Sequence, residues 1–279
     1  MLALAEAQQR ILSGIEPLPA EPCPLEAAGG RFLREELTAS LNLPPFDNSA
    51  MDGYAVRSVD LACATADRPV GLRCLGTAAA GGPWEGSVIQ GTCVRLFTGS
   101  ALPVGADAVV MQEDTRLDPS QPDRVWFQEP VRPREHLRLR GEDVRSGEVV
   151  GRPGERLTAG RLALLGACGH ATVRVGRQPR LALVATGTEL RAAGEPLLPG
   201  QVYESNRAAL AAIACRVGAL PRLFPIVKDE PAETRAALDR AFADCDLVVS
   251  TGGVSVGGMD FVKSALVGMQ GELAFWRVA

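Results

Sequence analysis

Hydrophobic and polar positions change rhythm twice along this chain. Residues 3 to 16 place Leu4, Ala7, Ile11 and Ile15 at helical spacing before Pro17, Pro19, Pro22 and Pro24, which predicts a short amphipathic packing helix and then an extended linker. A second short helix is expected over Leu25 to Phe32, weakened by Gly29 and Gly30. From 55 to 135 the pattern becomes short β-rich runs: Val70 to Leu75, Cys93 to Phe97, Ala108 to Gln112 and Val125 to Gln128. Turn clusters at Gly81-Gly82-Pro83, Gly99 to Pro103 and Asp118 to Asp123 separate them, which predicts a small antiparallel sheet or barrel standing as its own domain. Thr158 is placed to cap a helix running to Cys168, with Gly169 at its end.

After Pro179 strands and helices alternate. Strands are expected at Leu181 to Ala185, Arg222 to Val227, Leu247 to Ser250 and Glu272 to Trp276; helices are expected at Asn206 to Val217, Pro231 to Ala243 and Asp260 to Val267. Such alternation predicts a parallel sheet with helices on both faces. Leu247, Val248 and Val249 show no polar alternation, so their strand is expected at the sheet's centre.

At 279 residues the chain exceeds one typical core, so two or three domains are expected. An apolar share of 46% with 22% charged residues excludes disorder throughout. A net charge of −4 argues against a general nucleic-acid or membrane-surface binder. The basic residues are nearly all Arg, with Lys only at 228 and 263, a bias that genome composition explains. The seven cysteines are scattered with no C-x-x-C pair and read as reduced core residues of a cytoplasmic protein. No stretch approaches a membrane span and no secretion signal is read at the start. Only His136 and His170 are present, so any metal would be held by carboxylates, which points to Mg²⁺.

The candidate chemistry sits in loops. Residues 250 to 260 read Ser-Thr-Gly-Gly-Val-Ser-Val-Gly-Gly-Met-Asp, and their glycines permit positive φ and close backbone approach to an anion. An ordinary glycine-rich turn stays open for this loop taken alone. Asp260 and Lys263 lie one helical turn apart beyond it. In a parallel sheet ligands sit at the carboxyl ends of strands, and three such ends carry suitable residues: Thr186-Gly187-Thr188-Glu189, Lys228-Asp229-Glu230, and the glycine loop with Asp260. Carboxylates at 189, 229 and 260 converging there need a cation, which favours a Mg²⁺–phosphate site. Earlier, Pro44 to Arg57 forms a rigid loop that delivers Asp52 to a strand starting near Tyr54; a catalytic or metal-proximal role and an Asx turn stay equally open. Arg95 to Gly99 ends a strand with a hydroxyl and a glycine. Arg132 to Arg145 reads as a solvated crossing loop, with anion binding as the alternative because four arginines precede Glu142-Asp143.

Pro45 to Arg57, taken with Arg95 to Gly99, Arg140 to Asp143, Ala185 to Leu190 and Ser250 to Asp260, resembles the molybdopterin molybdenumtransferases and the related E domain of gephyrin. The match spans nearly the whole chain. The resemblance implies an α/β multi-domain protein: an N-terminal helical and extended region (1–45 and 136–178), an inserted β domain (46–135) and a molybdopterin-binding α/β domain (179–279). It implies a homodimer, room for contact with the molybdopterin adenylyltransferase, and a reaction of adenylylated molybdopterin with molybdate and Mg²⁺ that yields molybdenum cofactor and AMP. Carried over residue by residue, Asp52, Thr98 and Asp143 are catalytic, and Glu189, Asp229 and Asp260 hold the metal. Thr186, Gly187, Ser250, Thr251, Gly252, Gly253, Ser255 and Gly257 bind the substrate, with the loop from Thr251 to Gly257 holding the pterin phosphate. In the family the first three face the metal-binding set across the dimer.

Thr188 stands where the family often has Asp, and Gly258 where an acidic residue is common. The chain ends before the family's Lys-Pro-Gly-Lys-Pro segment and later loops, so an incomplete sheet and weakened turnover are expected. An adenylyltransferase-like enzyme resembles only residues 179 onward. A non-catalytic pterin-binding or scaffolding module is the other alternative.

Overall fold

A computed structural model describes residues 2–82, 84–252 and 261–269. The chain divides into two units: Met1–Glu35 with Pro153–Thr158 and Thr172–Ala279, and Glu36–Arg152 with Ala159–Ala171.

The first unit begins with helix α1, Leu4–Ser13, where the spacing places it. Its apolar residues do not pack as expected: Ala7 is buried, but Leu4, Ile11, Leu12 and Ile15 are exposed. Ala20–Pro24 pairs antiparallel with Thr172–Gly176. The helix expected over Leu25 to Phe32 is a single 3₁₀ turn, Leu25–Ala27. Beyond it the backbone bonds across the chain instead: Gly30 N–H donates to Leu157 O, Leu157 N–H to Arg31 O and Leu33 N–H to Glu155 O, at 2.8 to 2.9 Å. Tertiary pairing overrides a weak helical preference there.

The second unit is built on six strands: β1 Gly53–Val56, β2 Val70–Ala78, β3 Thr92–Leu96, β4 Ala108–Met111, β5 Thr115–Leu117 and β6 Arg124–Phe127. Their order across the sheet is β4-β1-β3-β2-β6-β5. The expected antiparallel sheet is corrected at one place, since β2 and β3 run parallel. The 79–91 connection is long enough for the crossover a parallel pair requires. Both faces are covered. Tyr54, Val56, Leu72, Cys93 and Phe127 fill one core, and Ala55, Val88, Val94, Leu96 and Val109 the other. The unbroken apolar triplets Tyr54-Ala55-Val56 and Ala108-Val109-Val110 follow from burial on two sides. Gly53 is required sterically, because a Cβ there would lie 2.0 Å from the Val110 carbonyl oxygen across the β1–β4 pair. Helix α2, Ala159–Ala167, starts directly after Thr158.

Residues after 179 form the expected parallel sheet. Strand β7, Arg180–Ala185, lies between β8, Leu220–Leu223, and β9, Leu247–Thr251, and runs parallel to both. The strand expected over 222 to 227 is shifted because Pro225 has no N–H to donate. Phe224 still donates to Leu183 O, and pairing resumes where Val227 N–H donates to Ala185 O at 2.9 Å. Within the described sheet β7, not β9, takes the middle place, and Leu247 is 54% exposed. Helices α3 (Asn206–Arg216), α4 (Pro231–Asp244) and α5 (Phe261–Gly268) follow the predicted alternation. Ala237 and Ala241 of α4 pack on Ala182 and Val184 of β7, and Leu238 meets Val262 and Ala265 of α5. The strand expected at Glu272 to Trp276 lies outside the described residues.

All seven cysteines are free. Cys23, Cys93, Cys168 and Cys245 are buried as core residues, whereas Cys63 and Cys215 are exposed.

Candidate functional site

Asp52 ends the 46–52 loop where β1 begins, and that loop is held by its own polar side chains. Asn48 Nδ2 donates to Phe46 O at 3.1 Å, the Ser49 hydroxyl donates to Met51 O at 2.5 Å, and Asp47 Oδ1 accepts the Arg140 N–H at 2.7 Å. Side chains that satisfy loop backbone add to the short pairing of Asn48–Ser49 with Leu137–Arg138 in making the segment rigid. One oxygen of Asp52 accepts both the main-chain N–H and the hydroxyl of Thr98, at 2.7 and 2.8 Å. Thr98 stands in the turn after β3, which Gly99 N–H fastens to Ser49 O and Ser100 N–H to Phe97 O. The Thr98 N–H, then its hydroxyl, then the charge of Arg95 hold the Asp52 carboxyl below its ordinary value. Asp52 is therefore an anion at neutral pH with one oxygen engaged and one available.

Asp143 belongs to the same unit as Asp52 and Thr98. Its backbone is anchored, since its N–H donates to Leu43 O at 3.0 Å and Gly141 N–H donates to Pro44 O at 3.0 Å. Its side chain is exposed. The charged stretch expected to cross through solvent is thus tied strand-like to the 43–49 loop, through Leu137–Arg138 pairing with Asn48–Ser49.

The second group of predicted residues lies in the other unit, at the carboxyl ends of its parallel strands. Thr186 follows β7, donates its N–H to Thr251 O at 2.9 Å, and is only 4% exposed. Among the described residues its hydroxyl has no hydrogen-bond partner. A buried hydroxyl left unpaired is unfavourable by about 1–3 kcal/mol. Gly252 packs directly on it: a Cβ there would meet the Thr186 carbonyl oxygen at 2.1 Å, and φ is +84°. Ser250 and Thr251 end β9 beside Val184 and Ala185. Gly187 donates its N–H to Val227 O at 3.0 Å, and the Glu189 carboxylate folds over it, 2.7 Å from where a Cβ would stand.

Asp229 is locked to the same edge. Its Oδ2 accepts the Thr188 N–H at 3.0 Å while its own N–H donates to the Thr188 hydroxyl at 3.1 Å. The threonine that departs from the family pattern thus holds the neighbouring acid in place. Glu189 and Asp229 are hard oxygen donors of the type Mg²⁺ takes. Among the described residues no three His, Cys, Asp or Glu side chains are grouped to hold a metal ion. Gly253, Ser255, Gly257 and Asp260, all predicted site residues, lie outside the described residues.

Two clusters escape a reading of the sequence. Arg95 is caged by Tyr54, Phe97 and Gln112 beside Asp52. Glu204 precedes α3, accepts the Arg207 N–H and guanidinium at 2.9 and 2.7 Å, and is 5% exposed. Burial pushes the Glu204 carboxyl up, but the Arg207 bonds outweigh it and the net shift is downward. Arg207 also donates to the Phe224 carbonyl, a tie that bridges α3 to the end of β8. A Glu-x-x-Arg spacing at a helix start was the available signal for the second cluster; the first had none, because its partners come from separate strands.

Residues 2–169 match the model of the "MoeA N-terminal region (domain I and II)", and residues 182–279 match that of the "Probable molybdopterin binding domain". The chain is 39% identical over 249 residues to the molybdopterin molybdenumtransferase of Nostoc sp., covering 89% of this chain and 56% of that protein. It is 36% identical to that of Haemophilus influenzae, covering 100% of this chain and 67% of that protein. The molybdopterin biosynthesis moeA protein from Pyrococcus horikoshii has a similar structure, with a TM-score of 0.80 at 32% identity over 90% of this chain and 66% of that one. The chain therefore spans between about half and two-thirds of the length of these relatives.

Proposed function

This chain belongs to the molybdopterin molybdenumtransferase family, and from that premise we propose that it acts in molybdenum cofactor biosynthesis, inserting molybdenum from molybdate into adenylylated molybdopterin with release of AMP. The observation that carries this reading is the buried Thr186 hydroxyl at the end of a parallel strand, without a partner among the described residues and with the Gly252 backbone against it. A phosphate oxygen there would accept a hydrogen bond from the hydroxyl and satisfy the donor. Gly187, Ser250, Thr251 and Gly252 line the phosphate's place, and the family resemblance assigns Gly253, Ser255 and Gly257 to the same ligand. Asp52, its first oxygen fixed by Thr98, orients molybdate or its attacking group with the second, and Asp143 assists.

Molybdate and a pyrophosphate are both anions, so carboxylates near them need a cation. Glu189 and Asp229, with Asp260, would hold Mg²⁺, which when bound supplies Lewis-acid stabilisation of charge at the anhydride. The exposed apolar residues of α1 and just beyond it, Leu4, Ile11, Leu12 and Ile15, support the homodimer reading, since a monomer gains nothing by leaving them in water. We place the protein in the cytoplasm; no helix among the described residues is long and apolar enough to cross a membrane.

AMP release from adenylylated molybdopterin, measured with and without molybdate and Mg²⁺, tests the proposal. Release that needs both is expected. Pterin binding without AMP release would instead support a non-catalytic binding module. An Asp52→Asn protein that released AMP at the parent rate would refute the role given to Asp52.

A further inference from the structure

Arg95 lies on β3, three residues before Thr98, and its head-group hydrogen bonds and ring contacts lead to the Asp52–Thr98 pair. Its Nη1 donates to the Tyr54 hydroxyl at 3.1 Å and its Nη2 to Gln112 Oε1 at 2.5 Å. The guanidinium carbon is 5.5 Å from the centre of the Tyr54 ring and 5.7 Å from that of Phe97. Tyr54 follows Asp52 by two residues on β1. Gln112 donates its main-chain N–H to the Asp52 carbonyl oxygen at 3.1 Å. Phe97 immediately precedes Thr98. A planar guanidinium seated against two rings and bonded at two of its ends is preorganised in a way a lysine could not match.

We propose that Arg95 is a positioning residue for the Asp52–Thr98 pair: it ties β1, β3 and the turn after β4 together so that both donors of Thr98 reach one oxygen of Asp52, without touching substrate itself. Two of its N–H groups serve protein acceptors, so its role is to set the geometry of the acid. Only the effect on turnover rests on the molybdenum-insertion reading; the geometric claim does not.

NMR on the whole chain, following the Thr98 amide and the Asp52 carboxyl carbon through a pH titration, tests it. In Arg95→Met the Thr98 amide resonance moves and Asp52 titrates at higher pH than in the parent. Gln112→Ala produces a smaller change of the same sign, and Arg95→Lys recovers part of the parent behaviour. In the AMP-release assay, kcat of Arg95→Met falls about 10- to 100-fold, as for groups that orient a reacting residue, while KM for the pterin substrate holds. A folded Arg95→Met protein with the Thr98 amide and the Asp52 titration both unmoved overturns the proposal. Should Arg95→Met fail to fold, Gln112→Ala decides by the same two signals, because Gln112 is partly exposed and its main-chain bond to Asp52 survives the change. A parent protein that releases no AMP refutes the insertion reading and leaves the NMR comparison to judge Arg95.

Discussion

Asp52 and Thr98, 46 residues apart in sequence, meet through a single carboxylate oxygen that accepts both donors of the threonine. Neither the loop that carries Asp52 nor the turn that carries Thr98 belongs to regular secondary structure at that point. The pairing is produced by β1 and β3 lying side by side, with Gly53 opposite Leu96.

Thr98→Val separates the two donors, because it removes the hydroxyl and keeps the N–H. The Asp52 carboxyl then rises only part of the way to its ordinary value, since the N–H is the larger influence. AMP release should fall about tenfold or more, the loss expected for one hydrogen bond to a charged group. Stability should stay within about 0.5 kcal/mol because Thr98 is exposed. Parallel kinetics and thermal melts check both; an unchanged rate would remove Thr98 from the mechanism.

Gly252→Ala places a methyl group 2.1 Å from the Thr186 carbonyl oxygen and forces a side chain onto φ of +84°. The end of β9 has to move away from β7. About 1–3 kcal/mol of stability is lost to strain, and affinity for molybdopterin falls at least tenfold if Thr186 and this loop hold the phosphate. Calorimetric binding shows it, and parent-like affinity in the folded variant would displace the phosphate from this strand end.

Asp246 accepts both terminal nitrogens of Arg177, at 2.6 and 2.9 Å, and the Arg180 N–H at 2.7 Å. The Arg177 bonds, followed by that N–H, lower its carboxyl from 3.8 to about 2. A depressed carboxyl stabilises the fold above its unfolded value, and that contribution disappears as pH falls from about 4 towards 2. Asp246→Asn should lower stability at pH 7 by about 0.5–1 kcal/mol, because solvent screens this exposed ion pair. It should also flatten the decline between pH 4 and 2. Urea denaturation at pH 7 and pH 3 measures both; equal parent and variant losses on acidification would contradict the assignment.

Arg207→Met leaves the Glu204 carboxylate, 5% exposed, without its partner and frees the Phe224 carbonyl. Removing one member of a buried pair costs about 3–5 kcal/mol. The double variant Glu204→Gln with Arg207→Met should be less damaged than the single one, because no lone buried charge remains. Chemical denaturation of the two proteins provides the comparison, and a double variant that is the weaker of the two would mean the pair acts through shape and not charge.

Much of the architecture follows from the sequence alone because the evidence for it is local. The strand–helix alternation after Pro179, the proline that opens α4 and the unbroken apolar triplets of β1 and β4 are each visible within a few residues. The self-bonding of Asn48 and Ser49 in the loop is legible for the same reason, since their short polar side chains satisfy backbone groups two residues away, whereas the bond of Asp47 to Arg140 N–H spans 93 residues and is not. What the tertiary structure decided is pairing over long separations. Local rhythm could not show that β2 and β3 run parallel, that residues 30–33 bond to 155–157 in place of forming a helix, or that β7 takes the middle of the described sheet. Periodicity records which face of an element is buried, but not which partner buries it, and so the Arg95 cage and the Thr188–Asp229 lock came to light only once distant strands were set side by side.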